Sequence, residues 1–353
     1  MRGMVLVFLA CVLVAGPSGC GESSLPKKNS GVSSLRVAYL PYLSFAPVLV
    51  AEENGLFKNY GLEVDFVNIR RTHYGTAALA NGKLDVGGGA VSAGLFNLIA
   101  RGLPVRIVAD KGHVPCDGHP YGAVLVRNDL VKQGMLQQPE RLRQMRLASP
   151  RQTISSMFVD RGLTSHGLSI DDFKVLSIPG PARLPAMAAG QVELMFMGEP
   201  WLTRAVEDGH SRVWIGDDEV IPGFQYSVLI FGPELLERRP EIGLRFMAAY
   251  LEGVRCYREG KTERNLAILQ RHTNLSRELL KRATWPGIRA DGAINVESVL
   301  EFQKWAAAKG LMENPLRPEE FWEPRFVEEA AQGLTHSSGE IGPMKQRPGW
   351  PQP

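Results

Sequence analysis

The sequence lacks the features that mark several protein classes. Four cysteines in 353 residues are too few for a disulfide-built scaffold. A formal net charge of +3 is too small for the clustered basic surface that binds nucleic acid, so we expect no nucleic-acid partner. With 44% hydrophobic and 22% charged residues, the chain has the composition of a globular protein. Its length indicates two domains.

Long apolar runs are also scarce, and the one at the N-terminus has a recognisable context. Residues 4–15 form an uninterrupted apolar run. The run follows Arg2 and precedes small residues and Cys20. This run has the length of a signal-peptide core and is too short to span a bilayer. It resembles a bacterial lipoprotein signal, although Pro17 departs from the usual pattern.

We therefore expect the chain outside the cytoplasm, in the periplasm or at the cell surface. A signal peptide at residues 1–19 would precede lipidation of Cys20, which would anchor the protein in a bacterial membrane. Residues 20–34 would then be a polar linker. Plain secretion and an uncleaved anchor are the alternatives.

Two cysteines would remain after cleavage and lipidation, Cys116 and Cys256. An oxidising compartment would permit a disulfide between them, but the sequence does not show whether they are close. Two separately buried thiols are the alternative interpretation.

The rest of the chain alternates short β-branched runs with helical patterns. Strands are predicted at residues 35–40, 63–68, 84–87, 105–109, 123–126, 146–148, 174–178, 194–197 and 213–215. Helices are predicted at residues 47–54, 77–81, 92–101, 154–161, 184–189, 201–207, 240–258, 263–272, 277–283 and 295–309. Strand–helix–strand repeats predict two α/β lobes with mostly parallel sheets and a cleft between them. Residues 333–353 lack an apolar period, and we expect them to be disordered.

Two loops, one in each predicted lobe, could face that cleft. The glycines at 87–89 lie between a strand and a helix, where backbone N–H groups can hold an anion, but no Lys-Ser or Lys-Thr of a phosphate-binding loop follows. A tight turn is the alternative. Residues 149–156 place hydroxyl groups at the start of a second helix, where they could cap the helix or bind a ligand.

Few other residues indicate a site. Glu199 and Trp201 open a helix after a strand, and could contact a ligand or serve only as a cap and a core residue. His113, Cys116 and His119 lack the usual spacing of zinc ligands, so we expect neither a metal nor another cofactor. No catalytic arrangement is evident, and acidic pairs such as Asp217-Asp218 have the pattern of solvated loops.

Several motifs in order resemble the NMT1/THI5-like substrate-binding proteins of ABC importers for nitrate, sulfonates, taurine and thiamine precursors. They are PYLSFAP (residues 41–47), VAEENGLF (50–57) with YGLEV (60–64), ALANGKLDVG (78–87), AMAAGQVE (186–193) with Glu199-Pro200, and Trp285, Gly292, Ile294, Asn295 and QKW (303–305). The resemblance covers about residues 35–331.

The resemblance implies a hinged, two-lobed periplasmic binding fold of type II that closes on one small solute. Residues 35–118 and 227–332 would form the first lobe, and residues 119–226 the second. A monomer would deliver the solute to a permease and its ATPase, with no catalysis. The implied ligand-binding residues are Tyr42, Ser44, Phe45, Gly89, Ala90, Gln152, Thr153, Glu199, Trp201 and Tyr226.

The resemblance leaves the solute and one competing class of function open. Arg151 is a candidate partner for a sulfonate, whereas Glu199 and the aromatic residues favour an uncharged or amine-bearing ring. The competing class is an enzyme on the same fold, THI5-like or of the menaquinone pathway, and export argues against both. A ligand sensor that docks on a membrane receptor is a third possibility.

Overall fold

The structure, a computed structural model, describes residues 32–69 and 72–337. The predicted signal peptide, Cys20 and nearly all of the linker lie outside these residues, as does the chain after residue 337. Within the described part, no helix combines the length and the apolar character needed to cross a membrane.

Ten strands and fifteen α-helices occur in the described part of the chain. The strands are β1 (Ser33–Tyr39), β2 (Leu62–Asn68), β3 (Val86–Ala90), β4 (Arg106–His113), β5 (Gly122–Arg127), β6 (Arg146–Ala148), β7 (Lys174–Leu176), β8 (Leu194–Gly198), β9 (Ser211–Gly216) and β10 (Gln225–Phe231). The helices are α1 (Ala46–Glu53), α2 (Leu56–Asn59), α3 (Thr72–Ala80), α4 (Ala93–Ala100), α5 (Asn128–Lys132), α6 (Ile154–Thr164), α7 (Arg183–Ala188), α8 (Trp201–Glu207), α9 (Asp217–Val220), α10 (Pro240–Tyr257), α11 (Glu263–Thr273), α12 (Arg277–Arg282), α13 (Val296–Ala308), α14 (Pro318–Phe321) and α15 (Arg325–Ser337).

The strands form two five-stranded sheets, in the orders β2-β1-β3-β10-β4 and β7-β6-β8-β5-β9. In the first sheet β10 runs antiparallel to β3 and β4, and in the second β5 runs antiparallel to β8 and β9. The other four strands of each sheet share one direction. Two α/β lobes with mostly parallel sheets are therefore confirmed.

Several elements differ from the sequence-based predictions. The glycines at 87–89, predicted as a loop between a strand and a helix, lie within strand β3. Strand β4 continues to His113, beyond the predicted end at residue 109. Strand β10 was not predicted, although its sequence, QYSVLIF, is rich in β-branched and aromatic residues. Helix α15 continues through Ser337, so residues 333–337 are helical where disorder was expected.

Helix α10 fixes the position of strand β4 in the first lobe. Helix α10 packs against α1 and buries Tyr250 completely. The Tyr250 hydroxyl donates to the carbonyl oxygen of Asp110 at 2.6 Å, in the middle of β4. This contact fixes the position of β4, and therefore of the next residue, Lys111, relative to α10.

The two lobes contact each other directly. Ala93 donates its N–H to the Gln152 carbonyl and Ile154 donates to the Val91 carbonyl, each at 2.9 Å. The Arg282 guanidinium also forms an ion pair with Glu207.

The structure decides the cysteine pairing that the sequence left open, and it corrects the expected burial of the thiols. Cys116 and Cys256 are free thiols, so no disulfide links them. Cys116 is exposed and Cys256 half-buried, which also excludes two fully buried thiols.

The interpretation of Asp217 as a solvated loop residue is wrong. Its side chain is fully buried at the start of α9, and Oδ1 accepts the N–H of Tyr121 at 2.9 Å. Oδ2 has no hydrogen-bond partner among the described residues. Burial raises the pKa of the Asp217 carboxyl to about 8, against the lowering effect of nearby backbone N–H groups. Asp217 is therefore mostly protonated in the folded protein at neutral pH.

This protonated carboxyl makes stability pH-dependent. The folded state holds a proton that the unfolded state releases above about pH 4, so Asp217 destabilises the fold as pH rises from about 4 to about 8. Between pH 5 and pH 8 the wild type should lose about 2–4 kcal/mol relative to Asp217→Asn in urea unfolding. Asp65→Asn, at an exposed position on β2, is the matched control. Parallel pH profiles of the wild type and Asp217→Asn would contradict this assignment.

Candidate functional site

A cavity of about 230 Å³ lies between the lobes, at the ends of strands from both sheets. Its walls come from the segments that follow β1, β6, β7 and β8, from the residue before β5, and from strands β3, β4, β8 and β10. The carboxyl ends of parallel strands are the usual place for ligand sites in α/β folds. A groove of about 360 Å³ at the edge of the first lobe is larger, but residues of that lobe alone line it.

Nine of the ten residues predicted to bind a ligand line this cavity. They are Tyr42, Ser44, Phe45, Gly89, Ala90, Thr153, Glu199, Trp201 and Tyr226. Gln152 does not, because its side chain is exposed and its carbonyl accepts the N–H of Ala93. Arg151 is also outside, where its exposed guanidinium donates to the Val175 carbonyl. Ligand contacts by the nine residues stay a prediction.

Lys111, which the sequence did not single out, lies in the cavity wall on β4. The residue is 1% exposed, and its Nζ donates to Ser44 Oγ at 2.7 Å. Nζ also lies 4.0 Å from the ring centroid of Phe45. Burial lowers the pKa of Lys111 to about 7, against the opposing effect of Asp110. The amine is therefore close to half-protonated at neutral pH.

Asp110 is the carboxylate next to Lys111 in sequence, but its oxygens are committed elsewhere. Oδ1 accepts the Gly112 N–H and the Gln225 amide, both at 2.7 Å. Oδ2 accepts the Arg289 N–H at 2.8 Å and lies 3.0 Å from His113 Nδ1. Asp110 thus holds the backbone around β4 together and makes no ion pair with Lys111.

Arg183, at the first position of α7, is the second cation that sequence analysis missed. It is 6% exposed, and Nε and Nη1 donate to the carbonyls of Ile178 and Phe196 at 2.8 and 2.7 Å. Nη2 has no hydrogen-bond partner among the described residues. Burial lowers the pKa of Arg183 to about 10, so the group stays charged at neutral pH.

Hydroxyl groups complete the polar part of the cavity. Ser155 Oγ and the Tyr226 hydroxyl share a hydrogen bond of 2.7 Å across the lobes. Ser227 Oγ and Thr153 Oγ1 are buried and have no partner within the described ranges. Leaving a buried polar group unpaired costs about 1–3 kcal/mol, so a ligand that bonds to these oxygens would recover that cost.

The Glu199 carboxylate is bound to protein donors. Oε1 accepts the Thr203 hydroxyl at 2.7 Å and the Thr284 N–H at 3.1 Å, and Oε2 accepts the Thr203 N–H at 3.1 Å. Burial raises the pKa of Glu199, while the bonds from Thr203 and Thr284 oppose that rise. Since Thr284 belongs to the segment that packs on the first lobe, Glu199 links the two lobes.

In residues 32–69 and 72–337, no group of three or more His, Cys, Asp or Glu side chains is placed to hold a metal ion.

A family model described as the NMT1-like family matches residues 28–270, which is more than half of the chain. The chain belongs to the NMT1-like family. The motifs that suggested this family therefore identified it correctly.

Named relatives of this NMT1-like protein include binding proteins for small anions. The bicarbonate-binding protein CmpA of Synechococcus elongatus is 22% identical over 258 residues, 67% of this chain and 55% of CmpA. The chain thus spans about half the length of that relative.

Solved structures share the fold. The periplasmic nitrate-binding protein NrtA of Synechocystis superposes with a TM-score of 0.70 at 15% identity, covering 88% of this chain and 91% of NrtA. The aliphatic sulphonate binding protein SsuA of Escherichia coli gives a TM-score of 0.65 at 18% identity, with coverages of 82% and 92%. The desulfurization enzyme DSZB shares the fold as well, with a TM-score of 0.60 at 14% identity. The fold alone therefore does not separate binding from catalysis.

The link through Glu199 predicts a loss of stability when its carboxylate is removed. Glu199→Ala leaves donors of Thr203 and Thr284 without an acceptor, and should lower the free energy of unfolding by about 1–3 kcal/mol. Thr203→Val removes only the hydrogen bond from the Thr203 hydroxyl to Glu199 and is the matched control, with a smaller loss. Urea unfolding measures both. An equal loss in the two variants would show that the link to Thr284 contributes nothing.

Proposed function

We propose that this protein is the extracytoplasmic solute-binding component of an ABC importer, and that its solute carries an anionic group. The observation that carries the proposal is the pair of buried cations in one cavity. Lys111 comes from the first lobe and Arg183 from the second. Neither has a carboxylate at ion-pair distance among the described residues.

A buried positive charge without a counter-ion is costly, and an anion in the cavity would offset that cost. Because each lobe supplies one cation, a single anion attracts both lobes toward itself. Closure of this kind is how hinged binding proteins couple ligand capture to a change of shape. An anion therefore favours the closed arrangement more than an uncharged solute does.

The carboxylate of Glu199 does not argue for an amine. Both of its oxygens accept hydrogen bonds from Thr203 or Thr284, and little acceptor capacity is left for a ligand. We therefore replace the preference for an uncharged or amine-bearing ring with an anionic solute.

The remaining walls favour an organic anion. The aromatic side chains of Tyr42, Phe45 and Trp201 line the cavity and offer apolar surface. A volume of about 230 Å³ lies below the usual range for drug-sized ligands, so the solute is small. A short-chain sulfonate or carboxylate has both the charge and the apolar part. CmpA and NrtA, which are named for bicarbonate and nitrate, support the anionic class.

We propose that the protein binds this solute without converting it, as a monomer. It would deliver the solute to a membrane permease with its ATPase. Lipidation of Cys20 would hold it at a bacterial membrane, in the periplasm or at the cell surface. The family supports solute delivery to a permease, and the N-terminal sequence supports export and lipidation.

Calorimetry with a charged and an uncharged ligand of the same shape tests the anionic solute. Butanesulfonate should bind with one site, and butanesulfonamide should bind at least about 10-fold more weakly, because it lacks the charge that the cations attract. Equal affinity for the two compounds would overturn the anionic class. Mass spectrometry of the ligand after long incubation should recover it unchanged, and a new product would indicate an enzyme.

Substitution of Arg183 tests its assigned role. Arg183→Met should weaken butanesulfonate binding about 10- to 100-fold, since it removes a charged donor worth about 1.5–3 kcal/mol. Arg151→Met is the matched control, because that arginine is exposed and outside the cavity, and its affinity should equal that of the wild type. Unchanged affinity in Arg183→Met, with the thermal transition intact, would remove Arg183 from the site.

A further inference from the structure

We propose that the cavity binds its anionic solute together with a proton, which Lys111 takes up. In the empty cavity above neutral pH, Lys111 is an uncharged amine. When the anionic group of the solute enters, Lys111 becomes an ammonium ion beside it. This inference rests on the proposed function, because it requires an anionic solute.

The surroundings of Lys111 suit an amine better than an ammonium ion. An ammonium ion has three N–H donors, and Ser44 Oγ is the acceptor that Nζ bonds within the described residues. The residue is 1% exposed, so water does not supply the missing acceptors freely. The face of the Phe45 ring, 4.0 Å away, compensates only in part.

The Lys111 side chain is packed against the sheet. Its stem passes over Gly88 of β3, where a Cβ atom would lie 2.9 Å from Lys111 Cε. The absence of a Cβ atom at Gly88 leaves room for the stem against the sheet, and Ser44 Oγ holds the amine. The charge state of Lys111 therefore depends on what occupies the cavity.

The titratable groups around Lys111 do not supply a free negative charge. They are Asp110 and His113 on β4, Tyr121 at the start of β5, Tyr226 on β10, Tyr250 and Tyr257 on α10, and Tyr42, Arg183 and Glu199 in the cavity walls. Burial raises the pKa of each of these tyrosines, which keeps them neutral. The carboxylates of Asp110 and Glu199 are held by protein donors, and Arg183 adds positive charge.

The consequence for binding follows from linkage. Burial lowers the pKa of Lys111 to about 7 in the empty cavity, and an adjacent anion raises it again. At pH 6.5 most of the empty protein already carries the proton, whereas at pH 8.5 only a few per cent does. If the complex is fully protonated, affinity falls about 25-fold between these pH values. Capture of the solute is then favoured in acidic surroundings.

Calorimetry of the full mature protein with butanesulfonate, and in parallel with nitrate, measures this proton directly. Neither anion titrates between pH 5.5 and 8.5, so any proton taken up belongs to the protein. Heats of binding in phosphate and Tris buffers, which differ in ionisation enthalpy, give the number of protons. We expect about one proton per solute at pH 8.5 and close to none at pH 5.5.

Two variants assign the proton to Lys111. Lys111→Arg keeps a permanent cation, so binding should persist while the uptake at pH 8.5 disappears. Lys111→Met should lose both the uptake and most of the affinity. Arg151→Met, outside the cavity, should take up the same number of protons as the wild type.

The outcomes separate this inference from the proposed function. Binding of neither anion at any pH would overturn the proposed function and this inference with it. Binding without proton uptake at pH 8.5, or uptake that persists in Lys111→Arg, would overturn this inference alone. If Lys111→Arg does not fold, the NMR shift of the Lys111 ε-carbon in the wild type decides. A titration midpoint that stays the same with and without butanesulfonate would contradict the proposal.

Discussion

Positive charge buried without a counter-ion is the constraint around which the interlobe cavity is built. Arg183 is held only by two backbone carbonyls, and Lys111 only by one hydroxyl. Arg183 therefore carries a charge without a counter-ion, and Lys111 has no counter-ion for the charge that it gains when it is protonated. Buried charges of this kind normally lie beside a carboxylate. Here the nearby carboxylates of Asp110 and Glu199 serve other donors, which separates the framework of the site from its ligand-binding charge.

That framework uses the same groups to hold the lobes and to orient the cavity walls. Asp110 gathers donors from β4, β10 and the segment after α12. Glu199 caps α8 and reaches the Thr284 N–H. Because the oxygens of Asp110 and Glu199 accept hydrogen bonds from the protein itself, changing either residue would disturb the fold as well as the site. In the proposed function, Lys111 and Arg183 are the residues that select the solute.

The sequence predicted the architecture well because periodicity and motif order report on local structure. Nine of the ten cavity residues implied by the family lie where expected, since strand ends carry them. Lys111 was missed because the predicted strand ended at residue 109, where polar residues interrupt the apolar run, yet β4 continues to His113. Arg183 looks like any of the 40 basic residues in sequence, and only tertiary packing buries it. For Glu199 the sequence offered a helix cap as one of two alternatives, and its side chain does accept the Thr203 N–H in the first turn of α8.

The position of β10 has a consequence for the order in which the molecule assembles. In the first sheet, β4 hydrogen-bonds to β10, and β10 is made only after all five strands of the second sheet. Residues 32–113 alone therefore cannot complete their own sheet, and the lobe that begins first is finished last. Such long-range strand pairing slows folding, because a large loop must close before the pairing is gained. Strand β4, and Lys111 with it, reaches its final place only when nearly two thirds of the chain has been synthesised.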